Sequence, residues 1–157
     1  MACVLFVDAN VLLDQPDLAR WRTDRPDRTI IILERIAREI QGLGRRGDAS
    51  AAQARRAALA LEAYRQRGLG AAVGRGRPTF RLQRGADLSP TVDAHLVAEA
   101  EAYRQRRPGD AVAVLTRDHG VWELAAHSGV YCVLLHGAFD NAALSRAVKE
   151  TLAAHGT

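Results

Sequence analysis

Lysine is nearly absent from this 157-residue chain: Lys149 is the only one, and the other basic side chains among its 22 are arginines. Any chemistry that needs a lysine has a single candidate, close to the end of the sequence. Cysteine is scarce too. Cys3 and Cys132 are the only two, both sit in apolar, strand-like runs, and both read as buried free thiols. Without a Cys/His spacing of the zinc type, a structural zinc centre is excluded. No apolar run approaches the length of a membrane span. The start, Met-Ala-Cys-Val-Leu-Phe-Val-Asp, has no basic leader and reaches an acid at once, which is not the pattern of a signal peptide. No membrane association and a cytoplasmic location are the expectations.

What is present is the composition of a globular protein, 48% hydrophobic and 25% charged. The length suits a single domain over 1–157 with a core large enough to need no disulfide or structural metal. The formal net charge is +4, with a pI near 9.7. Two readings of that charge compete. Arginine's planar fork suits bidentate phosphate contacts, and a bias towards alanine, arginine and glycine across a genome gives the same count.

The run Cys3–Val7 is apolar without alternation, as in a strand buried on both faces, and it ends at Asp8. A short helix is expected from Ala9 to Leu13, before Pro16. A polar turn at 22–28 precedes a second apolar run, Thr29–Leu33. Helical spacing follows at Ile36, Ile40 and Leu43. A long helix is expected from Ala49 to Arg67, with Leu59 and Leu61 on or near its apolar side. Gly68–Pro78 reads as a flexible loop, and Thr79–Leu82 as a short strand. Ser89-Pro90 has the form of a helix start, for a helix running to Arg106. Ala111–Leu115 is a third buried strand, the stretch from Thr116 to Gly120 is its turn, and a helix runs to His127. Val130–Leu135 is a further strand, and Phe139–Ala154 the last helix. Apolar strands alternating with helices predict an α/β/α sandwich of three layers around a mainly parallel central sheet.

In such a sheet, ligands bind at the carboxyl ends of the strands. Asp8 and Asn10 follow the first strand there, and Thr116 and Asp118 follow the 111–115 strand. Glu39 lies on the helix after the second strand, and Asp93 in the first turns of the helix before the 111–115 strand. Each acid has a plain structural explanation, as a helix cap or a residue favoured by the helix dipole. Together they suggest an acidic cluster. Clustered carboxylates repel one another unless a cation lies among them, and Mg²⁺ or Mn²⁺ prefers such oxygen ligands.

Four segments carry a resemblance. Val7-Asp8-Ala9-Asn10-Val11-Leu12-Leu13 resembles the opening motif of the PIN-domain nucleases. Ala37-Arg38-Glu39-Ile40-Gln41-Gly42-Leu43, Thr91-Val92-Asp93-Ala94-His95-Leu96-Val97 and Val114-Leu115-Thr116-Arg117-Asp118 resemble the second, third and fourth motifs. Order and spacing agree over nearly the whole chain. The resemblance implies a PIN-like fold and one or two Mg²⁺ or Mn²⁺ ions at Asp8, Glu39, Asp93 and Asp118. Asn10 and Thr116 match the supporting polar positions. It further implies endoribonuclease activity on RNA and a homodimer. Arg45, Arg46 and Arg117 are candidates for contacts to flanking phosphates. Two departures stand out. Ile31-Ile32-Leu33 precedes the second motif where a proline is expected, and the turn after Asp118 lacks basic residues.

Two roles stay open for such a nuclease, the toxin of a toxin–antitoxin pair, held by an antitoxin protein that covers the site, and a housekeeping RNA-processing enzyme. Two other functions compete. A non-catalytic PIN-like module would bind RNA or protein. A haloacid-dehalogenase-like phosphatase would use Asp8 as nucleophile, but that class wants an aspartate where Asn10 stands and a lysine at the site. The glycines at 68, 70, 74 and 76 are not a phosphate loop, because no Gly-Lys-Ser/Thr follows.

Overall fold

The computed structural model describes residues 2–25, 28–49, 51–67, 78–85 and 89–155. The loop expected at Gly68–Pro78 lies outside them except for Pro78. The elements run β1 (Cys3–Val7), α1 (Ala9–Asp14), a short 3-10 turn (Leu18–Arg20), β2 (Arg28–Leu33), α2 (Glu34–Leu43), α3 (Ala51–Arg67), β3 (Thr79–Gln83), α4 (Val92–Arg106), β4 (Ala111–Thr116), α5 (His119–His127), β5 (Cys132–Leu134) and α6 (Asn141–Ala154).

The five strands form one sheet in the order β3-β2-β1-β4-β5, and every neighbouring pair is parallel. Every residue of β1 and β4 is buried, as expected of strands covered on both faces. From β1 the chain steps one way to β2 and β3, then returns past β1 to β4 and β5. Right-handed crossovers place the helices of these two halves on opposite faces. Accordingly α1, α2 and α3 pack on one another, α4 packs on β4 and α5, and α6 lies against β1, β4 and β5. The order of connection therefore reverses between β1 and β4, where a parallel sheet opens a crevice at its carboxyl edge.

One aromatic cluster fastens this arrangement. Trp21, only 1% exposed, packs against Phe80 of β3 at 5.5 Å and Phe139 before α6 at 4.8 Å, and its indole N–H donates to the Gln15 carbonyl. Phe80 in turn meets Tyr64 of α3 at 4.9 Å. Phe6 meets Tyr103 of α4 at 5.7 Å.

Two sequence expectations need correction. Helix α4 begins at Val92, capped by Thr91, whose hydroxyl accepts from the Ala94 N–H. It does not begin at Ser89-Pro90, because the Arg35 guanidinium donates to the carbonyls of both Ser89 and Pro90. The first carbonyl available to a helical ladder is thus that of Thr91, to which His95 donates. On α3 the buried stripe is Ala54, Ala57, Leu61 and Tyr64, whereas Leu59 is 72% exposed. Helical spacing puts residue 59 off a stripe that recurs at three and four residues. The remaining differences are shifts of one to two residues at element ends.

Trp21→Ala is expected to cost about 3–5 kcal/mol, the range for emptying a large aromatic site. A urea midpoint that falls with the slope unchanged checks this, and an unmoved midpoint rules the cluster out as a fastening.

Candidate active site

The register of the central strands sets the site. Val7 of β1 stands opposite Leu115 of β4, and the Asp8 N–H donates to the Leu115 carbonyl at 3.0 Å. Residues 8 and 116 therefore leave the sheet side by side. Asp8 is 5% exposed and Thr116 fully buried. The Thr116 hydroxyl donates to Asp8 Oδ2 at 2.7 Å and accepts from the Asp118 N–H at 3.0 Å, so its proton has one direction. Asp8 Oδ1 accepts from the Ala9 N–H at 2.8 Å, and Asn10 Nδ2 donates to Oδ2 at 3.4 Å. Asn10 Oδ1 then accepts from the Arg117 N–H at 3.1 Å. Asn10 and Thr116 thus stitch the start of α1 to the β4–α5 turn.

Asp118 caps α5, its Oδ1 accepting from the Gly120 N–H at 2.8 Å. Glycine suits this approach, because a Cβ at position 120 would lie 3.2 Å from that oxygen. Asp93 lies in the first turn of α4, where the helix dipole favours an acid. Glu39 lies on α2, beside the buried Ile36, Ala37 and Ile40, with its own side chain at the surface.

Electrostatics tie the four acids together. Burial is the main cause that raises the Asp8 carboxyl above its ordinary range. The Thr116 and Ala9 hydrogen bonds pull it back, and Asp93 and Asp118 push it up further. The Glu39 carboxyl is raised by partial desolvation, then by Asp8 and Asp93, with Arg35 opposing. Asp93 is raised by desolvation and by Asp118. Every acid of the set acts on another, so the fold brings all four to one edge of the sheet. As their side chains stand, no three His, Cys, Asp or Glu groups among the described residues form a set ready to hold a metal ion.

The arginines divide differently from the sequence expectation. Arg117 Nη1 pairs with Asp14 Oδ2 at 3.1 Å and also bonds the Gly137 carbonyl, while Asp14 Oδ2 accepts from the Phe139 N–H at 2.6 Å. Arg117 is therefore a strut between α1, the β4–α5 turn and the approach to α6. Arg45 and Arg46 are exposed just beyond α2, and Arg45 lines a cavity of about 520 Å³ between α2 and α3. Among the described residues, the cation that acts on Glu39 is Arg35, which the sequence reading passed over. Its signal was available, since it stands four residues before Glu39 on one helix face. Asp14, the partner of Arg117, carried no comparable signal.

The protein is thus a parallel α/β sheet protein with buried and surface carboxylates gathered where the order of connection reverses, the edge at which such sheets bind ligands. The family follows from comparison. Residues 5–136 match the family model described as PIN domain, and the chain belongs to that family, whose members are generally metal-dependent nucleases. Among solved structures, the chain is similar to a domain of a functionally unknown protein from Methanocaldococcus jannaschii DSM 2661. The two share 15% identity, covering 87% of this chain and 94% of that one, with a TM-score of 0.52, which is a likeness of fold. No curated protein matches. Among the described residues, no helix is long and apolar enough to cross a membrane.

In the ion-free protein the raised carboxyls have a consequence for stability. Asp8, Glu39 and Asp93 keep their protons to higher pH when folded than when unfolded. The folded state then binds more protons between the ordinary carboxylate range and the raised values, and stability falls as pH rises through that window. Asp93→Asn removes one repelling charge, so the variant is expected to lose less stability than wild type as pH rises above the ordinary carboxylate range. Thermal melts in EDTA across that window measure this, and parallel curves would mean that the acids do not share a field.

Proposed function

We propose that the protein is a divalent-metal-dependent endoribonuclease with Asp8, Glu39, Asp93 and Asp118 as its metal-binding and catalytic acids. The observation that carries this reading is the convergence of these four side chains at the reversal point of the sheet, where Asp8, Glu39 and Asp93 are each raised by another acid of the set. A protein that holds like charges together in this way loses stability unless a cation joins them. The donor set is all oxygen, which suits Mg²⁺ or Mn²⁺. Asp8 and Asp118 are pinned by hydrogen bonds. Among the described residues no hydrogen bond or ion pair fixes the Glu39 or Asp93 side chain, so these two are able to turn towards an ion. When bound, such an ion supplies Lewis acidity towards a phosphodiester and acidifies a water.

The chain's own residues supply the rest. Thr116 and Asn10 keep the Asp8 carboxylate oriented, as partners behind a metal ligand do. Glu39 and Asp93, with carboxyls raised above their ordinary range by desolvation and neighbouring acids, are suited to take a proton from an attacking water. Arg45 and Arg46 are exposed and extend from the helix that carries Glu39, so they are placed for flanking phosphates. Arg117 orders the turn that bears Asp118. RNA is the proposed substrate, and the net charge of +4 favours a polyanion. The same active site serves either as a toxin, blocked by an antitoxin protein, or as a housekeeping nuclease.

RNA cleavage is expected with Mg²⁺ or Mn²⁺ and to vanish in EDTA and in Asp8→Asn. Thr116→Val is expected to lower metal affinity or rate by about 10–100-fold, as loss of a ligand's supporting hydrogen bond does. Activity that survives EDTA, or a fully active Asp8→Asn protein, overturns the mechanism. Calorimetric titration with Mn²⁺ separates a dead binding module, which takes up no ion. Growth arrest on expression, relieved by Asp8→Asn, separates a toxin from a housekeeping enzyme.

A further inference from the structure

The carboxyl edge of the sheet carries a second feature beside the acids. Leu33, the last residue of β2, stands opposite Gln83, the last of β3, so Glu34 and Arg84 leave the sheet side by side. With α2 and the start of α4 they enclose a cavity of about 190 Å³, lined by Glu34, Arg35, Arg38, Arg84, Gly85 and His95. Pockets for drug-sized ligands begin at roughly 300 Å³. This one suits a single small group, not a nucleoside.

The lining is cationic. Three of its residues are arginines, and its one carboxylate, Glu34, is already held by the Arg65 guanidinium at 2.9 and 3.0 Å. Arg35 donates to the Ser89 and Pro90 carbonyls, neutral acceptors that fix its position and leave its charge. Arg84 is exposed, and among the described residues no hydrogen bond or ion pair fixes its side chain. On the α4 side the wall is His95, 2% exposed, with Nε2 3.4 Å from Glu99 Oε1. Glu99 Oε2 accepts from Gln83 at 2.9 Å, so that acid is tied in behind the wall. Gly85 permits the close approach. A Cβ there would lie 2.6 Å from His95 Nε2 and closer still to Glu99 Oε1.

Guanidinium groups hold phosphate oxygens through directed, charge-assisted hydrogen bonds. A nucleic acid offers two kinds of phosphate. An internal phosphodiester has one charge and a chain on either side, so it needs an open groove. A terminal phosphate has one ester link and a charge of about −1.5 to −2 at neutral pH, so it enters a small hollow end-first. Three guanidinium groups against one answered carboxylate fit the second. The acids are adjacent: Glu39 follows Arg38 on α2, and Asp93 stands two residues before His95 on α4.

We infer that this cavity binds the terminal phosphate of an RNA strand, held by Arg35, Arg38 and Arg84 beside the acidic edge. That the strand is RNA rests on the nuclease reading, whereas the preference for a phosphate monoester rests on the cavity.

Fluorescence anisotropy with a short, internally labelled RNA tests it, in EDTA so that no strand is cut. The strand carries phosphate or hydroxyl at its 5′ end, and in a second pair at its 3′ end. Wild type is expected to bind one phosphorylated form about tenfold or more tightly than its hydroxyl twin, and the pair that shows the difference identifies the end. Arg84→Gln and Arg38→Gln are each expected to bring that ratio towards one, with the circular dichroism spectrum unchanged. Arg84 is exposed and untied, so its variant reads the cavity even where Arg38→Gln lowers the melting temperature. Arg45→Gln, outside the cavity, is expected to weaken both members of a pair alike. Excess inorganic phosphate is expected to erase the ratio, and chloride at the same ionic strength to preserve it. Equal affinity, or none, for phosphate and hydroxyl at both ends overturns the inference, as does a preference that survives both arginine variants. A protein that cleaves RNA with Mg²⁺ but ignores the end group loses this inference alone. One that prefers the phosphorylated end but never cleaves loses the nuclease reading alone.

Discussion

A carboxylate with only 5% of its surface exposed stands where the sheet reverses its order of connection, and the rest of the site depends on keeping it there. Burying an acid is unfavourable unless donors replace its water. Asp8 has three: a backbone N–H, the Thr116 hydroxyl and the Asn10 amide. The β1–β4 pairing brings the Thr116 donor to Asp8, and the other two come from the start of α1, the helix that follows β1. Shifting that register by one would turn Thr116 to the opposite face, and Asp8 would lose its shortest hydrogen bond. The hydroxyl also receives the Asp118 N–H, so the same pairing sets the next acid. Buried hydrogen bonds therefore do for the site what apolar packing does for the core.

The opposing force comes from the acids themselves. The fold holds side by side groups that raise one another's pKa, a local conflict that a protein selected for stability alone would remove. Such conflicts are expected where function is built. The surrounding structure absorbs this one. The aromatic cluster of Trp21, Phe80, Tyr64 and Phe139 ties β3, α3 and the approach to α6 on one face. Phe6 and Tyr103 tie β1 to α4 on the other. Arg35 contributes from the edge. It moderates Glu39 and holds the Ser89 and Pro90 carbonyls, so one guanidinium both offsets the repulsion and sets where the helix bearing Asp93 begins.

The fold and the identity of the acids were legible in the sequence for a physical reason. Strands buried on both faces have no polar positions, so Cys3–Val7 and Ala111–Leu115 stood out as unbroken apolar runs, and the first polar residue after each had to lie at the sheet edge. Asp8 and Thr116 were found in this way. Glu39 and Asp93 lie on helices, where an acid is ordinary, and only the family motifs distinguished them. The start of α4 was misplaced because Ser89-Pro90 is a sound local signal that a distant guanidinium overrides. Leu59 was placed with Leu61 on or near the apolar side of α3, and only the phase of the buried stripe separates the two. The roles of Arg35 and Arg117 were hidden for the same reason as the helix start: each depends on partners 54 and 103 residues away.

Those two arginines also bear on the composition. The sequence left open whether the excess of arginine over lysine marks a polyanion-binding surface or a bias without function. The structure supplies a third use. Arg35 joins α2 to the entry of α4, Arg117 joins α1 to the β4–α5 turn and Gly137, Arg28 grips Asp24 through two nitrogens, and Arg65 does the same with Glu34 to join α3 to α2. Each contact uses the guanidinium's several donors in fixed directions, which an ammonium does not offer. Exposed ion pairs contribute little singly, but these four constrain geometry at the joints between elements, and two of them adjoin the acids. Net charge therefore overstates the surface available to a polyanion. Arg45 and Arg46, exposed just beyond the helix that carries Glu39, show no such tie among the described residues.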